Sequence, residues 1–369
     1  MNMTNFKELS GQLHSKLSRV NNWRRIVRIL STGVYLFVFC WLMFVLLSGV
    51  LLNYIGGENY TRVAEYILPV FIGFVVVNFI FSRCIMAFHT QEIDAMRSIM
   101  SSLFPNLFFS FSYFTDNKVL TDSKLFTASF SDPSLEATTY GYIEVPRGEH
   151  SLYIVDIGVS HGLMNKWKNN WILGYPIMIY RYTLRPLFTS RLESSVHNFR
   201  GMFGWCKTEK RFEGNIILLP DHLEQTLGYL AKNIQGLKKR YGARLVQLED
   251  PEFENYFAVY ADDGVEARML LTPAMMRHIT ELRKTFGHDM MLSFSKGYFY
   301  YAATMPDGFL RLRPKALNDG KLLEEIYNDI SLACKVTDEL RLNEEVSQVA
   351  QNSSRQDVRY KLRYERNLN

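Results

Sequence analysis

Two long apolar runs stand near the start of the chain, and short alternating apolar stretches punctuated by turn residues fill most of the remaining sequence. The first run, residues 29–52, reads ILSTGVYLFVFCWLMFVLLSGVLL and holds no charged side chain. At about 1.5 Å of rise per residue, such a helix is long enough for a hydrocarbon core of roughly 30 Å. The second run, residues 64–88, has AEYILPVFIGFVVVNFIF at its centre, with Glu65 and Arg83 near its ends and Pro69 in its first turns. The pattern predicts two transmembrane helices joined by an external loop, residues 53–63, and preceded by a basic segment, residues 1–28. Lys16, Arg19, Arg24, Arg25 and Arg28 precede the first run, Arg83 and Arg97 follow the second, and only Arg62 lies between. The positive-inside rule then places both termini in the cytoplasm.

Beyond His89 the period changes. Ile93, Met96, Met100 and Leu103 recur at helical spacing, so a helix is expected to continue out of the second run. TTYGYIEV and SLYIVDIGV alternate as strands do, with turns at Asp132-Pro133 and Pro146-Arg147-Gly148. RFEGNIILLP, ARLVQLE and NYFAVYAD also read as strands, and Asp262-Asp263-Gly264 as a turn before VEARMLL. Leu223, Leu227, Leu230, Ile234 and Leu237 form one stripe of an amphipathic helix. Thr272 suits an N-cap with Pro273 at the first helical position, and Gly287 ends that helix. MMLSFSKGYFYYAAT predicts a hairpin turning near Lys296-Gly297, and Leu322, Ile326, Ile330, Ala333 and Leu340 mark a closing helix. The expected fold class is therefore α+β: two N-terminal transmembrane helices, then a mixed, mostly antiparallel cytoplasmic domain over residues 89–345 with its helices on one side. The polar, basic tail, residues 346–369, reads as disordered.

Composition narrows the function. Lys and Arg exceed Asp and Glu by 42 to 37, an excess too small and dispersed to argue for a nucleic acid partner. The four cysteines, Cys40, Cys84, Cys206 and Cys334, stand too far apart in sequence for a zinc or redox pair. No phosphate loop, zinc helix or nucleophile elbow occurs, so the sequence names no catalytic residue, cofactor or metal ligand. Asp221-His222 forms a candidate acid–base pair, although Asp221 fits better as the N-cap of the following helix. The acidic block with Glu249, Asp250, Asp262 and Asp263 could supply oxygen ligands, but turn chemistry accounts for the same residues. Trp167 and Trp171 open an aromatic, basic stretch, residues 167–188, which reads either as a buried strand and loop or as a membrane-surface contact.

FRGMFGWCKTEKRFEGNIILLPD and LEDPEFENYFAVYADDGVEARMLLTPAMM resemble the two most recognisable blocks of the bacterial domain-of-unknown-function family numbered 3137. Leu103-Phe104-Pro105, Ser123-Lys124-Leu125-Phe126 and the Tyr-Gly-Tyr strand agree with it, as do Leu340 to Asn343. The resemblance runs over about residues 89–345 and departs around residues 167–188. It implies two N-terminal spans, the inner membrane as location, and a LemA-like membrane protein as candidate partner; it supplies no functional residues. The sequence thus favours a non-catalytic binding, scaffold or sensor module for a protein or lipid partner, with the bilayer and a homo-oligomer as further contacts. A membrane-tethered enzyme with an unrecognised site is the alternative.

Overall fold

The computed structural model describes residues 3–55, 57–105, 107–111, 117–126, 135–147, 150–161, 198–208, 214–220, 234–235, 238–239, 242–305, 308–312 and 321–334. The chain divides into two compact units: Met1–Pro105 with Arg311–Glu325, and Asn106–Leu310 with Ile326–Asn369.

The first unit is helical. Helix α1 spans Met3–Gln12, α2 His14–Ile55 and α3 Gly57–Leu103. Among the described side chains, the buried ones sit at the amphipathic ends of these helices. Phe6 of α1, Leu17 and Val20 of α2, and Met96, Ile99, Met100 and Leu103 of α3 are all buried. Lys16 donates from Nζ to Ser98 Oγ at 2.7 Å, which ties α2 to α3 at the same end. As the spacing required, α3 runs without a break from the second apolar run to Leu103, and it already begins at Gly57.

Among the described residues, no helix is long and apolar enough to cross a membrane. This corrects the expectation of two transmembrane helices at residues 29–52 and 64–88. What folds instead is a pair of helices of 42 and 47 residues that run on well past the apolar stretches and pack against each other. Each adds charged turns, Lys16 to Arg28 in α2 and Glu92 to Arg97 in α3. The inner-membrane location and the cytoplasmic placing of both termini fall with the spans, because loop charge reports orientation only when a span exists.

The second unit is α+β. Its strands are β1 (Phe108–Ser110), β2 (Leu135–Arg147), β3 (His150–His161), β4 (Phe199–Lys207), β5 (Ile216–Pro220), β6 (Arg244–Leu245), β7 (Phe257–Ala261), β8 (Met290–Ser295) and β9 (Tyr298–Thr304). They form one nine-stranded sheet in the order β1-β2-β3-β4-β9-β8-β5-β7-β6. Every described pairing is antiparallel. Helix α4 (Asn117–Ser123) precedes β2, and α5 (Pro251–Glu254), α6 (Gly264–Leu270) and α7 (Pro273–Phe286) lie between β6 and β8. A last helix, α8, covers 321–334.

Local signals explain much of this unit. Thr272 accepts from Met275 N–H through its side chain, Pro273 follows it, and Gly287 closes α7 at φ 66°, the left-handed conformation glycine adopts cheaply. Lys296 and Gly297 both have positive φ, 53° and 73°, as a two-residue hairpin turn between β8 and β9 demands. VEARMLL differs from the expectation of a turn leading onward: Asp263 caps a helix there, α6.

Helical segments cover both faces of the sheet, which corrects the expected one-sided arrangement. On one face Val155, Phe203, Tyr300, Met291 and Ile217 cluster with Leu120 of α4 and with Leu125 and Phe126. On the other, Tyr301 donates its hydroxyl to the Ala333 carbonyl of α8 at 3.3 Å. Gly204 lets that ring in, since a Cβ there would collide with Tyr301.

Candidate functional site

The acidic block is built from helix starts. Asp250 precedes Pro251, and its carboxylate accepts from Glu252 N–H and Phe253 N–H, both at 3.1 Å, so it is the N-cap of α5. Glu254 accepts from Leu248 N–H at 2.8 Å, while Glu249 is exposed. Glu252 pairs with Lys284 of α7, and that hydrogen bond raises the lysine pKa. Asp263 caps α6 by accepting from Val265 N–H at 2.8 Å. Asp262 holds the end of β5: one of its oxygens accepts from Asn215 N–H at 3.1 Å and from Asn215 Nδ2 at 2.6 Å. Asn215 Oδ1 in turn accepts from Ser295 Oγ at 2.6 Å, and Glu266 accepts from Gly214 N–H at 3.1 Å.

The described candidates therefore do different local jobs. Asp250 and Asp263 satisfy orphan N–H groups at two helix starts, Asp262 braces a strand end, and Glu249 faces outward. Among the described residues, no group of three or more His, Cys, Asp or Glu side chains could hold a metal ion. Asp221, His222, Trp167 and Trp171 lie outside the described residues.

A different pair of charges sits at the centre of the sheet. Asp156 of β3 and Arg200 of β4 are 0% and 3% exposed. The register places Gly158 opposite Arg200 and Met202 opposite Asp156, so the two side chains meet diagonally. Arg200 grips the carboxylate with both Nη atoms, Nη2 to Oδ2 at 3.1 Å, and Nη1 also donates to the Ile157 carbonyl at 3.1 Å. Its guanidinium carbon lies 4.1 Å from the centroid of the Tyr140 ring. Leu310 N–H donates to Asp156 Oδ2 at 3.0 Å, and Met305 N–H to the Arg200 carbonyl at 2.9 Å. Gly308 adopts φ 86° against this pair, and a Cβ there would strike the guanidinium. The arrangement is a bidentate clamp that holds Met305 and Leu310 to the sheet. Its signal in the sequence was one acid inside SLYIVDIGV and one arginine inside FRGMFG, because charges buried in strands persist only when paired.

The aromatic row on the α4 face is buried at Trp205 and Tyr300 and half-buried at Tyr153. Tyr153 stacks on Trp205 with centroids 5.2 Å apart and donates its hydroxyl to Glu144 at 3.2 Å. Burial first, and Glu144 second, raise its pKa. Burial, then Asp122 and Tyr298, raise that of Tyr300.

In the helical unit, Glu92 of α3 is the ionic centre. Arg24 lies 3.9 Å from its carboxylate, and His89 and Arg311 each lie 3.8 Å from it. Arg24 also donates to the Leu312 carbonyl at 2.9 Å. Burial lowers the Arg24 pKa; Glu92 opposes this, and Arg28 and Arg311 add to it. The same unit carries most of the exposed large apolar side chains described in the molecule. Ile29, Leu36 and Leu47 of α2 are 71%, 65% and 54% exposed, and Ile72, Val76 and Ile80 of α3 are 54%, 51% and 52% exposed. Run length alone marks these side chains as bilayer-facing and does not single them out as rows at helical spacing.

No curated protein matches the chain. Among solved structures, it is similar to the mycobacterial trehalose monomycolate transport factor A, TtfA, at 9% identity, over 64% of this chain and 93% of that one. The TM-score is 0.32, a likeness too slight to carry an argument. Residues 197–342, from just before β4 past the end of α8, match the model of a family described as protein of unknown function (DUF3137), which supports the resemblance carried by the two sequence blocks within that range.

Proposed function

We propose that the chain is a non-catalytic binding module that associates with a protein partner through the apolar rows of α2 and α3. The exposure of those rows is the observation that carries this reading. Monomeric proteins rarely leave contiguous apolar surface of this kind open, and such surface marks interaction sites. Ile72, Val76 and Ile80 follow one another at four-residue steps, so they share one face of α3. The ionic groups favour the same reading. Asp250, Asp262, Asp263, Asp156 and Arg200 are engaged in capping and clamping, which leaves them little part in acid–base work.

A photoreactive residue placed at Val76 of the full chain, in cells, tests the proposal. The expected result is a discrete protein adduct at Val76 and none at exposed Glu249 in the α+β unit. Equal labelling at both positions, or none at either, would overturn it. Whether the partner is LemA-like, as the family resemblance implies, is read directly from the adduct.

A further inference from the structure

His89 of α3 stands inside the ionic cluster of the helical unit, and its contact with Arg311 fixes how its ring is protonated. Arg311 Nη2 lies 3.3 Å from His89 Nδ1. A guanidinium offers only N–H groups and does not lose its proton, so Nδ1 is the acceptor and the imidazole is neutral, with its hydrogen on Nε2. One turn further along α3, Glu92 is buried, and its two carboxylate oxygens face different cations. Arg24 of α2 lies 3.9 Å from Oε1, whereas His89 Nδ1 and Arg311 Nη2 both lie 3.8 Å from Oε2. One oxygen thus has two claimants, an arginine of fixed charge and a histidine, the side chain type whose charge changes between about pH 5 and 8.

We propose that His89 is a proton-operated latch on the Arg311 side chain. With the imidazole neutral, Arg311 has an acceptor at Nδ1 and the negative charge of Oε2 beside it. Protonation puts a hydrogen on Nδ1, which removes that acceptor, sets a like charge against the guanidinium and turns a new donor toward Oε2. All three effects act against Arg311 and favour the His89–Glu92 pair, an i, i+3 contact on one face of α3. The remaining charges push the same way. Arg24 faces Oε1, and Arg28 and Arg311 add to the positive field there, so a protonated His89 brings charge where cations already exceed the acid. Exposure suits the roles: the His89 side chain is 43% exposed and open to solvent protons, while that of Arg311 is 16% exposed and held. Leu310 donates its N–H to Asp156, and the Leu312 carbonyl accepts from Arg24. The backbone is therefore tied on either side of Arg311, and the latch acts on the side chain at the point where the chain returns to the helical unit.

The latch is independent of whether α2 and α3 hold a partner. Its test is NMR of the full chain with isotope-labelled histidine and arginine nitrogens, the Arg311 signal being assigned by its loss in Arg311→Lys. Lowering the pH from about 7.5 to about 5.5 should convert His89 from the Nε2–H tautomer to the imidazolium and speed exchange of the Arg311 guanidinium hydrogens about tenfold, corrected for the intrinsic rate. His89→Asn keeps a neutral acceptor near the place of Nδ1 and should exchange slowly at both pH values. His89→Lys carries a permanent cation and should exchange fast at both. The position is half-exposed, so neither variant empties a core. A wild-type rate that ignores pH would overturn the proposal. So would a rise in His89→Asn as large as in wild type, which would assign the change to Glu92.

Discussion

The β8–β9 hairpin and the middle of α2 are both rich in large apolar residues, yet they use them in opposite ways. In the hairpin, Met290, Leu292 and Tyr301 are 0% exposed, while on α2 Ile29 and Leu36 are 71% and 65% exposed. The difference comes from geometry. A strand presents alternate residues to two faces, and here α4 and α8 supply cover on opposite sides, so both sets are buried. A helix presents residues all round, and contact with one neighbour uses only one stripe. The part of α2 that α3 does not cover is left for something else. Among the described side chains of the helical unit, Leu17 and Val20 of α2 and Met96 and Ile99 of α3 are buried near the ends of the two helices.

The contrast breaks most visibly at the sheet. Arg200→Ala leaves Asp156 buried without its cation and should cost about 3–5 kcal/mol of stability, measured by denaturant titration of the α+β unit within the full chain. Partner association through α2 and α3 should be unchanged at denaturant concentrations where that unit is still folded. A loss below about 1 kcal/mol would mean that the clamp is not what holds Met305 and Leu310 to the sheet.

Alkaline pH gives a smaller and selective effect. Burial holds the Tyr300 pKa above its ordinary value of 10, so the folded chain prefers the neutral phenol. The stability this contributes is complete below the unfolded pKa and is lost as pH rises above 10 toward the folded value. Tyr300→Phe should therefore flatten the fall in stability above pH 10, followed by thermal melts across the alkaline range. An unchanged alkaline slope would assign that fall to other groups.

The smallest effect belongs to the helical unit. Leu36→Ser removes an exposed side chain and should change unfolding stability by no more than about 0.5 kcal/mol while weakening association. A loss of several kcal/mol would mean that Leu36 belongs to a core after all.

How much of this was legible depended on the range of the physics involved. Thr272, Pro273, Gly287, Lys296 and Gly297 act within a few residues, and the sequence announces each of them. The turn expected at Pro146-Arg147-Gly148 was placed too early, because Pro146 and Arg147 still belong to β2 and pair with Ser151 and His150. Asp263 shows the limit of local reading: a cap and a turn use the same acid, and α6 is only seven residues long, too short for periodicity to decide. Asp156 and Arg200 lie 44 residues apart, and only the β3–β4 register brings them together. The block Glu249, Asp250, Asp262 and Asp263 drew notice as clustered charge, but it is adjacent in sequence and divided in its work. The two apolar runs predicted spans because run length cannot tell what a helix will pack against. The family resemblance holds over residues 197–342, within which Arg200 and the two caps lie, and residues 89–196 rest on the sequence pieces alone.

The central claim is that this molecule associates through α2 and α3 and not through its α+β unit. Even that unit exposes single apolar residues, Met269 at 47% and Val265 at 65%, which makes it a demanding control. The most direct test is photocross-linking from Leu36 against the same probe at Met269, in the full chain at equal expression. Discrete protein adducts are expected from Leu36 and none from Met269. Adducts from Met269 with Leu36 silent would contradict the claim.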